Sequence, residues 1–570
     1  MAMLPITGRN RTSQNYHQNK TSSAPLSGPM QGASFIFLPP QLFCRNNKLP
    51  DSEKAYQACF SQKLVISMAQ TPHREGSKVV RTHSFAFAGV TAIPVEIQVQ
   101  ISPGLPAFQV VGLPDKAVGE ARERVRAALA SMGLALPPRR ILVNLAPADL
   151  LKEGSHFDLP IALGVLAAMD ILPASDSAGY TSLGELSLDG ALQPVNGVLP
   201  AAIGAHACGL GLICPERQGG EAAWSGVERI LAAPNLLAII NHFRGTQTLP
   251  RPEPAGQAEG SALPDLADVK GMETARRALE IAAAGQHNLL LIGPPGAGKS
   301  MLAARLPGLL PPLTPSQILD VSTIHSIAGM LRDGRLITRP PFREPHHGAS
   351  QAAIAGGGPR ARPGEISLAH HGVLFMDEFP EFSRQVLEAL RTPMETGQAT
   401  VARAAAHITY PARFQLIAAM NPCRCGYLGT PDRECVRAPA CGDGYQARIS
   451  GPLLDRMDIV VTVQPATPTE LMRAPPGENS ASVAARVEAA RQFREARRQS
   501  GERQNGAEPS LSPEVAAFAE QASLRLKLSA RGLTRMIRVA RTIADLAQEA
   551  DISRLHLAEA LNFRVRQWRG

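Results

Sequence analysis

The segment LLLIGPPGAGKS, residues 289–300, decides the fold class of the central part of this chain. Four apolar residues typical of a buried strand precede a glycine-rich loop, and the residues that follow, MLAARLPGLL, have the pattern of a helix. In such a loop, backbone N–H groups surround phosphates, the lysine reaches the β- and γ-phosphates, and the serine hydroxyl binds Mg²⁺. The sequence therefore predicts a site for ATP and Mg²⁺ formed by Gly293, Pro294, Pro295, Gly296, Ala297, Gly298, Lys299 and Ser300.

Two later segments predict the hydrolytic side of the same site. GVLFMDEF places an apolar strand directly before Asp377 and Glu378, so that Asp377 joins Ser300 in holding Mg²⁺ and Glu378 polarises the attacking water. FQLIAAMNP is a second apolar strand that ends at Asn421, which is placed to orient that water. The alternative for Asn421 is a turn residue at the end of a strand. Together with the glycine-rich loop, these segments indicate an ATPase.

The spacing of these segments resembles the AAA+ superfamily, and FREPHHGAS, PGEISLAHHGVLFMDEFPEF, LRTPMETG, NPCRCG and SGPLLDRMDIVV resemble its magnesium-chelatase subfamily. The resemblance implies that Arg456, in LLDR, is an arginine finger that reaches the γ-phosphate of a neighbouring subunit, commonly in a six-membered ring. SARGLTRMIRVARTIADL is similar to the helical lid of that subfamily, which makes Arg531 the sensor-2 candidate, with Arg538 behind it. The alternative for Arg456 is a salt bridge within its own domain.

The N-terminal part has a different pattern. THSFAFAGVTAIPVEIQVQISPG predicts two antiparallel strands that turn at Gly89, and a helix is expected after Pro114–Asp115. VNLAPADLLKEGSHFDLPIALGVLAA and LGELSLDGALQPVNGVLPAAIGAHACG resemble the Lon-protease-like domain, whose peptidase form needs a serine and a lysine. GVLPAAIG contains no lysine where that pattern has one, and Ser155 is offset from the serine position. We therefore expect a non-proteolytic scaffold or DNA guide.

The predicted fold class is multidomain α/β, with an N-terminal Lon-like α+β domain, a central AAA+ P-loop α/β domain and a C-terminal helical lid. The expected divisions are an extension at 1–80, the Lon-like domain at 81–245, a Pro/Gly/Glu-rich linker at 246–263, the AAA+ core at 264–472 and the lid at 482–570. For residues 1–67, rich in Asn, Ser, Gln and Pro, three interpretations stay open: a disordered tail, a basic targeting segment, or untranslated upstream sequence with the start at Met68.

This combination of domains resembles the YifB/ComM family over about residues 80–568. The resemblance implies a ring-forming, ATP-driven motor on branched or single-stranded DNA that promotes branch migration during homologous recombination and natural transformation. Magnesium insertion into porphyrin is not expected, because chelatase subunits lack the Lon-like domain. The alternative is a chelatase-like or chaperone-like ATPase that remodels a protein partner.

Four of the eight cysteines, Cys423, Cys425, Cys435 and Cys441, stand between the sensor segment and the finger segment. Four thiolates in this spacing can form a structural zinc site, although C-x-C is tighter than the usual C-x2-C. The alternative is a reduced loop without metal. A catalytic metal is not expected there, because four protein ligands leave no open coordination position.

The candidate DNA contacts come from GQATVARAAAHITYPARF, which alternates like a β-hairpin and carries Arg403 and Arg413. These arginines would contact phosphates without reading sequence, and the alternative is an exposed hairpin arginine. His346 and His347 either line a pore or form local hydrogen bonds. Arg494, Arg497 and Arg498 are either an outer DNA surface or a solvated helix face.

Composition adds weaker constraints. The net charge of +9 is concentrated at the two ends of the chain, which leaves the central part slightly acidic. No charge-free apolar run of about 18 residues exists, so no membrane span is expected. Eight cysteines in 570 residues do not form a disulfide framework, which favours a reducing cytoplasm.

Overall fold

A computed structural model describes residues 79–256 and 263–564, apart from 332, 359–360, 403–406, 429–434, 466–471, 474, 476 and 500–510. The three interpretations of residues 1–67 and the candidate DNA contact Arg403 lie outside the described residues.

The N-terminal domain is built around one mixed sheet of seven strands. The domain's strands are β1 (Val79–Ala88), β2 (Thr91–Ser102), β3 (Ala107–Val111), β4 (Arg140–Ala146), β5 (Tyr180–Ser182), β6 (Glu185–Leu186), β7 (Leu192–Gln193), β8 (Gly211–Pro215) and β9 (Ile230–Ala233). The order in the sheet is β3-β4-β2-β1-β5-β8-β9, and β6 pairs with β7 separately. The predicted hairpin forms: β1 and β2 are antiparallel and turn at Gly89, whose φ of +65° suits glycine.

Helices cover both faces of this sheet. They are α1 (Lys116–Ser131), α2 (Asp158–Ala168), α3 (Ala174–Ala178), α4 (Val198–Ala207), α5 (Gly219–Ala222) and α6 (Leu236–Phe243). The predicted start of α1 is confirmed, because the Asp115 carboxylate accepts the Val118 amide as an N-cap. α1, α2 and α6 share one hydrophobic core, and α4 packs into a second core with Phe85 and Leu212.

The expected linker is in part docked on the N-terminal domain. The Ala255 amide donates to the Gly220 carbonyl, and the Trp224 indole donates to the Ala255 carbonyl. Pro252 lies against Gly219, where a Cβ would approach its Cβ to 2.8 Å. These residues of the expected linker therefore pack on the N-terminal domain, because small residues on α5 leave room for the chain.

The central domain contains a parallel sheet of five strands. Its strands are β10 (Leu289–Ile292), β11 (Phe342–Arg343), β12 (Val373–Met376), β13 (Gln398–Ala402), β14 (His407–Pro411), β15 (Gln415–Met420) and β16 (Ile459–Thr462). The sheet has the order β11-β12-β15-β10-β16, and each neighbouring pair is parallel. β13 and β14 form a separate antiparallel pair, so the predicted hairpin before the sensor strand is present.

The strands of this sheet are apolar because both faces are covered. The helices of the domain are α7 (Glu273–Gly285), α8 (Lys299–Ala303), α9 (Pro315–Ala328), α10 (Gln351–Ala355), α11 (Glu365–Leu368), α12 (Arg384–Ala389), α13 (Arg391–Thr396), α14 (Ala440–Gln446) and α15 (Gly451–Leu454). Leu289 and Leu291 face the core that contains α7, whereas Leu290 and Ile292 face the core that contains α12 and α15.

The C-terminal region consists of four helices in its described part: α16 (Ser480–Gln499), α17 (Pro513–Leu526), α18 (Ala530–Leu546) and α19 (Arg554–Asn562). Val487 on α16 and Met536 on α18 belong to the same hydrophobic core as Leu289 and Leu291. The helices therefore pack on one face of the central sheet. Within the described part of the chain, no helix has the length and apolar character needed to cross a membrane.

The N-terminal and central domains meet through buried polar contacts. Glu221 on α5 is only 3% exposed, and the Ser326 hydroxyl on α9 donates to its Oε1 at 2.5 Å. The Leu199 amide donates to the same oxygen at 3.0 Å. Burial raises the pKa of Glu221. A second contact joins the two hairpins, because Gly89 lies against the Thr409 carbonyl of β14.

Candidate functional site

The predicted phosphate loop connects β10 to α8 in the expected strand–loop–helix order. Gly296 and Gly298 have φ values of +77° and +81°, which residues with side chains rarely adopt. A Cβ on Gly293 would lie 2.2 Å from the Val463 carbonyl oxygen. The glycines are thus needed for the backbone path that turns N–H groups towards a phosphate.

Lys299 points back into this loop. Its amine donates to the carbonyls of Gly293 and Pro294, at 2.7 and 2.9 Å, and to Asn421 Oδ1 at 3.1 Å. The residue is 8% exposed, and burial lowers the pKa of its amine. The predicted lysine and the predicted sensor asparagine therefore meet, as expected when β10 and β15 are neighbours in the sheet.

Ser300 and Asp377 form the second predicted pair. The Ser300 hydroxyl donates to Asp377 Oδ2 at 2.6 Å, although 77 residues separate them in sequence. A hydroxyl and a carboxylate oxygen are ligands that suit Mg²⁺, which usually keeps several waters and takes few protein ligands. The donor set therefore fits the predicted metal. Together with Lys299 and Glu378 these residues line a cavity of about 400 Å³.

Glu378 follows Asp377 and has a left-handed backbone, with φ of +50°. Its Oε2 lies 3.0 Å from Nδ1 of His347, and both side chains are partly exposed. The sequence offered His347 as a pore-lining residue or a local hydrogen-bond partner, and the structure shows that it contacts the predicted catalytic carboxylate. Its neighbour His346 accepts the Gly348 amide and stacks near His347, with the ring centroids 4.2 Å apart.

The four clustered cysteines lie beside the phosphate loop. Their sulfur atoms are all within 4.8 Å of one another, and the Cys423 and Cys425 sulfurs are 3.1 Å apart. Four thiols at this separation suit a tetrahedral zinc site. Between them, Gly426 packs on the phosphate loop, where a Cβ would lie 2.4 Å from Cδ of Pro295. The cluster is thus adjacent to the nucleotide cavity as well as to Asn421.

A second group of potential ligands, Asp320, His370 and His371, is less suited to a metal. His370 Nδ1 accepts the Arg413 amide at 2.9 Å, so the neutral ring carries its proton on Nε2. Burial lowers the pKa of His370 to about 3, with His371 and Arg413 acting in the same direction. The guanidinium of Arg413 also faces Asp320 and His371. We interpret this group as a hydrogen-bonded support for the strand that ends in Asp377.

The two candidate arginines lie together. Arg456 is 5% exposed, and its Nη2 donates to Glu395 Oε1. Arg531 is well exposed, and its Nη1 lies 3.8 Å from the same oxygen. The salt bridge that was the alternative interpretation of Arg456 is therefore present in this isolated chain.

The sequence did not point to Arg535, which joins α18 to the segment around Arg456. Its guanidinium donates to the Arg456 carbonyl at 2.9 Å and to the Asp458 carboxylate. Arg538, which was expected behind Arg531, is exposed. Arginines recur at every third or fourth position of α18, so the sequence pattern did not distinguish the arginine that contacts Arg456 from the others.

The other basic candidates have local partners. Arg413 is exposed at the base of the β13–β14 hairpin rather than at its tip. Arg494 donates to the Ala284 carbonyl at the end of α7, and Arg497 pairs with Asp545 at 3.2 Å. Of the three candidate arginines on α16, only Arg498 is largely exposed. This part of α16 is therefore mainly an intramolecular contact.

The N-terminal domain shows no serine–lysine pair of the peptidase type among its described residues. The Ser155 hydroxyl donates to Glu185. The nearest lysine in sequence, Lys152, is buried and donates to the Pro147 carbonyl. Each of the two groups therefore has a different hydrogen-bond partner.

Comparisons with protein families match three parts of the chain. Residues 97–218 match the family described as subunit ChlI of Mg-chelatase, and 265–471 match magnesium chelatase, subunit ChlI. Residues 477–564 match the C-terminal part of magnesium chelatase subunit ChlI. All three domains are therefore similar to chelatase-type sequences, including the one that we compared with Lon proteases.

Whole-length relatives are more specific. The chain is 45% identical to YifB of Salmonella typhimurium over 490 residues, which cover 85% of this chain and 96% of that protein. It is 44% identical to YifB of Escherichia coli over 497 residues, with 85% and 96% coverage. It is also 44% identical to competence protein ComM of Haemophilus influenzae over 496 residues, with 85% and 97% coverage. The chain therefore belongs to the YifB/ComM family of magnesium-chelatase-like AAA+ proteins.

Proposed function

We propose that this protein is an ATP-hydrolysing ring motor that acts on branched or single-stranded DNA and promotes branch migration during homologous recombination and natural transformation. The observation that carries the ATPase part is the convergence of Lys299, Ser300, Asp377, Glu378 and Asn421 around one cavity. The DNA part is supported by the hairpin next to this site and by the competence protein among the relatives.

In the proposed mechanism, the loop amides of Gly293–Ser300 hold the phosphates of ATP, and Lys299 exchanges its carbonyl partners for the β- and γ-phosphates. Ser300 and Asp377 hold Mg²⁺, which neutralises charge on the phosphates when it is bound. Glu378 accepts a hydrogen bond from the attacking water and raises its nucleophilicity. Asn421, released from Lys299, orients the same water.

The arginines are proposed to act between subunits. Arg456 and Arg531 form one cluster around Glu395, which fits a shared role at the γ-phosphate of a neighbouring subunit. An arginine finger is worth about 10³–10⁵ in kcat. Hydrolysis would then depend on assembly, which we propose to be a hexameric ring.

On the DNA side, we propose that the β13–β14 hairpin contacts the phosphate backbone, with Arg403 and Arg413 as the candidate residues. Contacts to phosphates carry no sequence preference, as a motor that moves along DNA requires. The hairpin ends a few residues before β15 begins, and β15 leads directly to Asn421. A displacement of the hairpin is thereby linked through a short segment to the hydrolytic site.

The remaining parts have supporting roles in this proposal. Residues 81–245 form a Lon-like, non-proteolytic domain that guides DNA, and 482–570 form the lid on the AAA+ core of 264–472, with 246–263 between the first two domains. Cys423, Cys425, Cys435 and Cys441 hold a structural Zn²⁺ that fixes the segment between Asn421 and Arg456. The proposed location is the cytoplasm.

The test is branch migration on a synthetic four-way junction with the full chain and ATP. Wild type is expected to move the junction and to hydrolyse ATP faster with single-stranded DNA. Glu378→Gln is expected to bind ATP and DNA without moving the junction. Wild-type ATP hydrolysis that is indifferent to DNA, with no junction movement, would refute the DNA role and favour a protein-remodelling ATPase.

A further inference from the structure

We propose that Glu395 is a positioning residue that withholds Arg456, and with it Arg531, until the γ-phosphate of a neighbouring subunit competes for them. This proposal rests on the function proposed above, in which Arg456 acts on the neighbour's nucleotide. It implies that ATP hydrolysis is slow as long as no γ-phosphate competes with Glu395 for Arg456. It also implies that DNA bound at the β13–β14 hairpin changes the rate of ATP hydrolysis.

The first observation is the burial of Arg456. Its side chain is 6% exposed, Nη2 donates to Glu395 Oε1, and Nη1 donates to the Pro452 carbonyl at 2.5 Å. Nε is buried and has no hydrogen-bond partner among the described residues. The guanidinium is thus buried against its own chain, and in this proposal the side chain leaves Glu395 in order to contact a phosphate on another subunit.

The second observation is that the backbone of Arg456 is held by contacts other than those that hold its side chain. The Arg456 carbonyl accepts hydrogen bonds from Asn288 Nδ2 at 3.1 Å and from Arg535 Nη1 at 2.9 Å. These two contacts attach the residue to the central sheet and to α18. The guanidinium, in contrast, is held by one carboxylate that is 48% exposed and one carbonyl.

The third observation is the charge around Glu395. Arg531, which is 67% exposed, lies 3.8 Å from the oxygen that Arg456 contacts. Two guanidinium groups therefore face one carboxylate, and the cluster has an excess of one positive charge. A phosphate, with more negative charge and more acceptor oxygens than a carboxylate, competes well for arginines placed in this way.

The position of Glu395 in the chain links this competition to the hairpin. Glu395 is in α13, which ends at Thr396; Gly397 follows it as the C-cap, and β13 begins at Gln398. The Ala412 amide, just after β14, donates to the Gly397 carbonyl at 2.8 Å. Both ends of the hairpin thus meet at the residue after α13. DNA that displaces the hairpin would shift Glu395 and loosen its contact with Arg456.

The test compares Glu395→Gln with wild type in ATPase assays of the full chain without DNA. Because the amide keeps the shape and removes the charge, the DNA-free rate is expected to rise about three- to fivefold, equivalent to ~0.7–1 kcal/mol. Stimulation by single-stranded DNA should fall by the same factor. The separate variant Glu395→Asp keeps the charge, so its DNA-free rate should lie within about twofold of that of wild type. Glu514→Gln, which breaks an exposed pair with Arg554 on the lid helices, is the matched control and should leave the rate unchanged.

Three further variants separate this proposal from the one on which it rests. Arg456→Ala should abolish most hydrolysis, and Glu395→Gln should then have no effect in the Arg456→Ala background. In mixed rings, a Lys299→Ala/Glu395→Gln subunit, itself unable to bind ATP, should accelerate hydrolysis by wild-type neighbours. Normal hydrolysis by Arg456→Ala would overturn the role of the finger itself. An inactive Arg456→Ala with an unchanged or slower Glu395→Gln of wild-type thermal stability would overturn only the withholding role of Glu395.

Discussion

Acidification is expected to weaken the N-terminal domain at one buried histidine, His156. The residue is 6% exposed, and its Nε2 lies 2.9 Å from the Phe85 carbonyl, so Nε2 carries the proton of the neutral ring. The ring packs near Phe157 and Phe87, with centroids 4.2 and 5.5 Å away. Burial in these surroundings lowers the pKa of His156 from 6.5 to about 4.

The sign and size of the effect follow from this difference. Between the two pKa values the unfolded chain binds a proton that the folded domain excludes, so stability is fully present above about pH 6.5 and is lost as the pH falls to about 4. At about 1.4 kcal/mol for each pKa unit, the complete loss is about 3.5 kcal/mol. This is a large fraction of the ~5–15 kcal/mol that stabilises a typical domain.

The assay is urea unfolding of wild type and His156→Gln at about pH 7.5 and about pH 4.5. The glutamine amide can still donate to the Phe85 carbonyl but does not titrate. Trp224 lies in this domain and donates to the Ala255 carbonyl at 3.1 Å, so its fluorescence reports local unfolding once Trp568 is replaced by Phe. Wild type should lose about 2–3 kcal/mol more than the variant over this range.

Equal pH dependence in the two proteins would refute the reasoning. Other buried histidines do not confuse the comparison. His83, whose pKa burial also lowers, is present in both proteins and cancels in the difference.

Three further predictions concern the contact between the N-terminal and central domains, the cysteine cluster and the Glu378 side chain. Ser326→Ala removes a hydroxyl donor from the buried Glu221 carboxylate, so it should lower the free energy of unfolding, followed by Trp224 fluorescence, by ~1.5–3 kcal/mol. The control Ser177→Ala loses a hydrogen bond within its own helix and should lower it by less than ~1 kcal/mol. Equal losses in the two variants would contradict this assignment. Purified protein should contain about one zinc per chain by elemental analysis. Cys423→Ser should lose both zinc and ATP affinity, because Gly426 packs on Pro295 of the phosphate loop, whereas Cys208→Ser should lose neither. Metal-free protein with full ATP affinity would exclude a zinc role. His347→Ala should raise ATP turnover without DNA about threefold and leave ATP affinity unchanged, because it removes the contact with Glu378. The control His346→Ala should leave turnover unchanged. A loss of ATP affinity in His347→Ala would place His347 in nucleotide binding instead.

The parts of the fold that the sequence predicted are those with a local cause. The β1–β2 hairpin needs a turn that accepts positive φ, and Gly89 supplies it. α1 needs an N-cap, and Asp115 supplies it. The phosphate loop combines an apolar strand, glycines and a helix in one short segment. Lys299 and Asn421 meet because β10 and β15 are neighbouring parallel strands, whose carboxyl ends lie at one edge of the sheet.

The contacts that the sequence missed join residues with no local pattern between them. Glu395 and Arg456 are 61 residues apart, and many other acidic and basic residues were equally plausible partners. His347 follows β11 and contacts Glu378, which follows the neighbouring strand β12. Arg494 was interpreted from helix charge alone, but it lies against the end of α7 because α16 packs there. Ion pairs of this kind depend on tertiary packing, which periodicity and charge do not specify.

The contact between the two hairpins couples the N-terminal domain to the β13–β14 hairpin of the central domain. A Cβ on Gly89 would lie 2.7 Å from the Thr409 carbonyl and 3.3 Å from Cγ2 of Ile408. Val90 also packs on the small core around Tyr410, whose hydroxyl donates to the Ala361 carbonyl at 2.8 Å. Since β14 is tied at its base to Gly397 and α13, a shift of Glu395 that moves the hairpin must also displace the turn at Gly89 or break this contact. The N-terminal domain would therefore resist or transmit any displacement of the hairpin, which a domain joined to the central domain only by a free linker could not do.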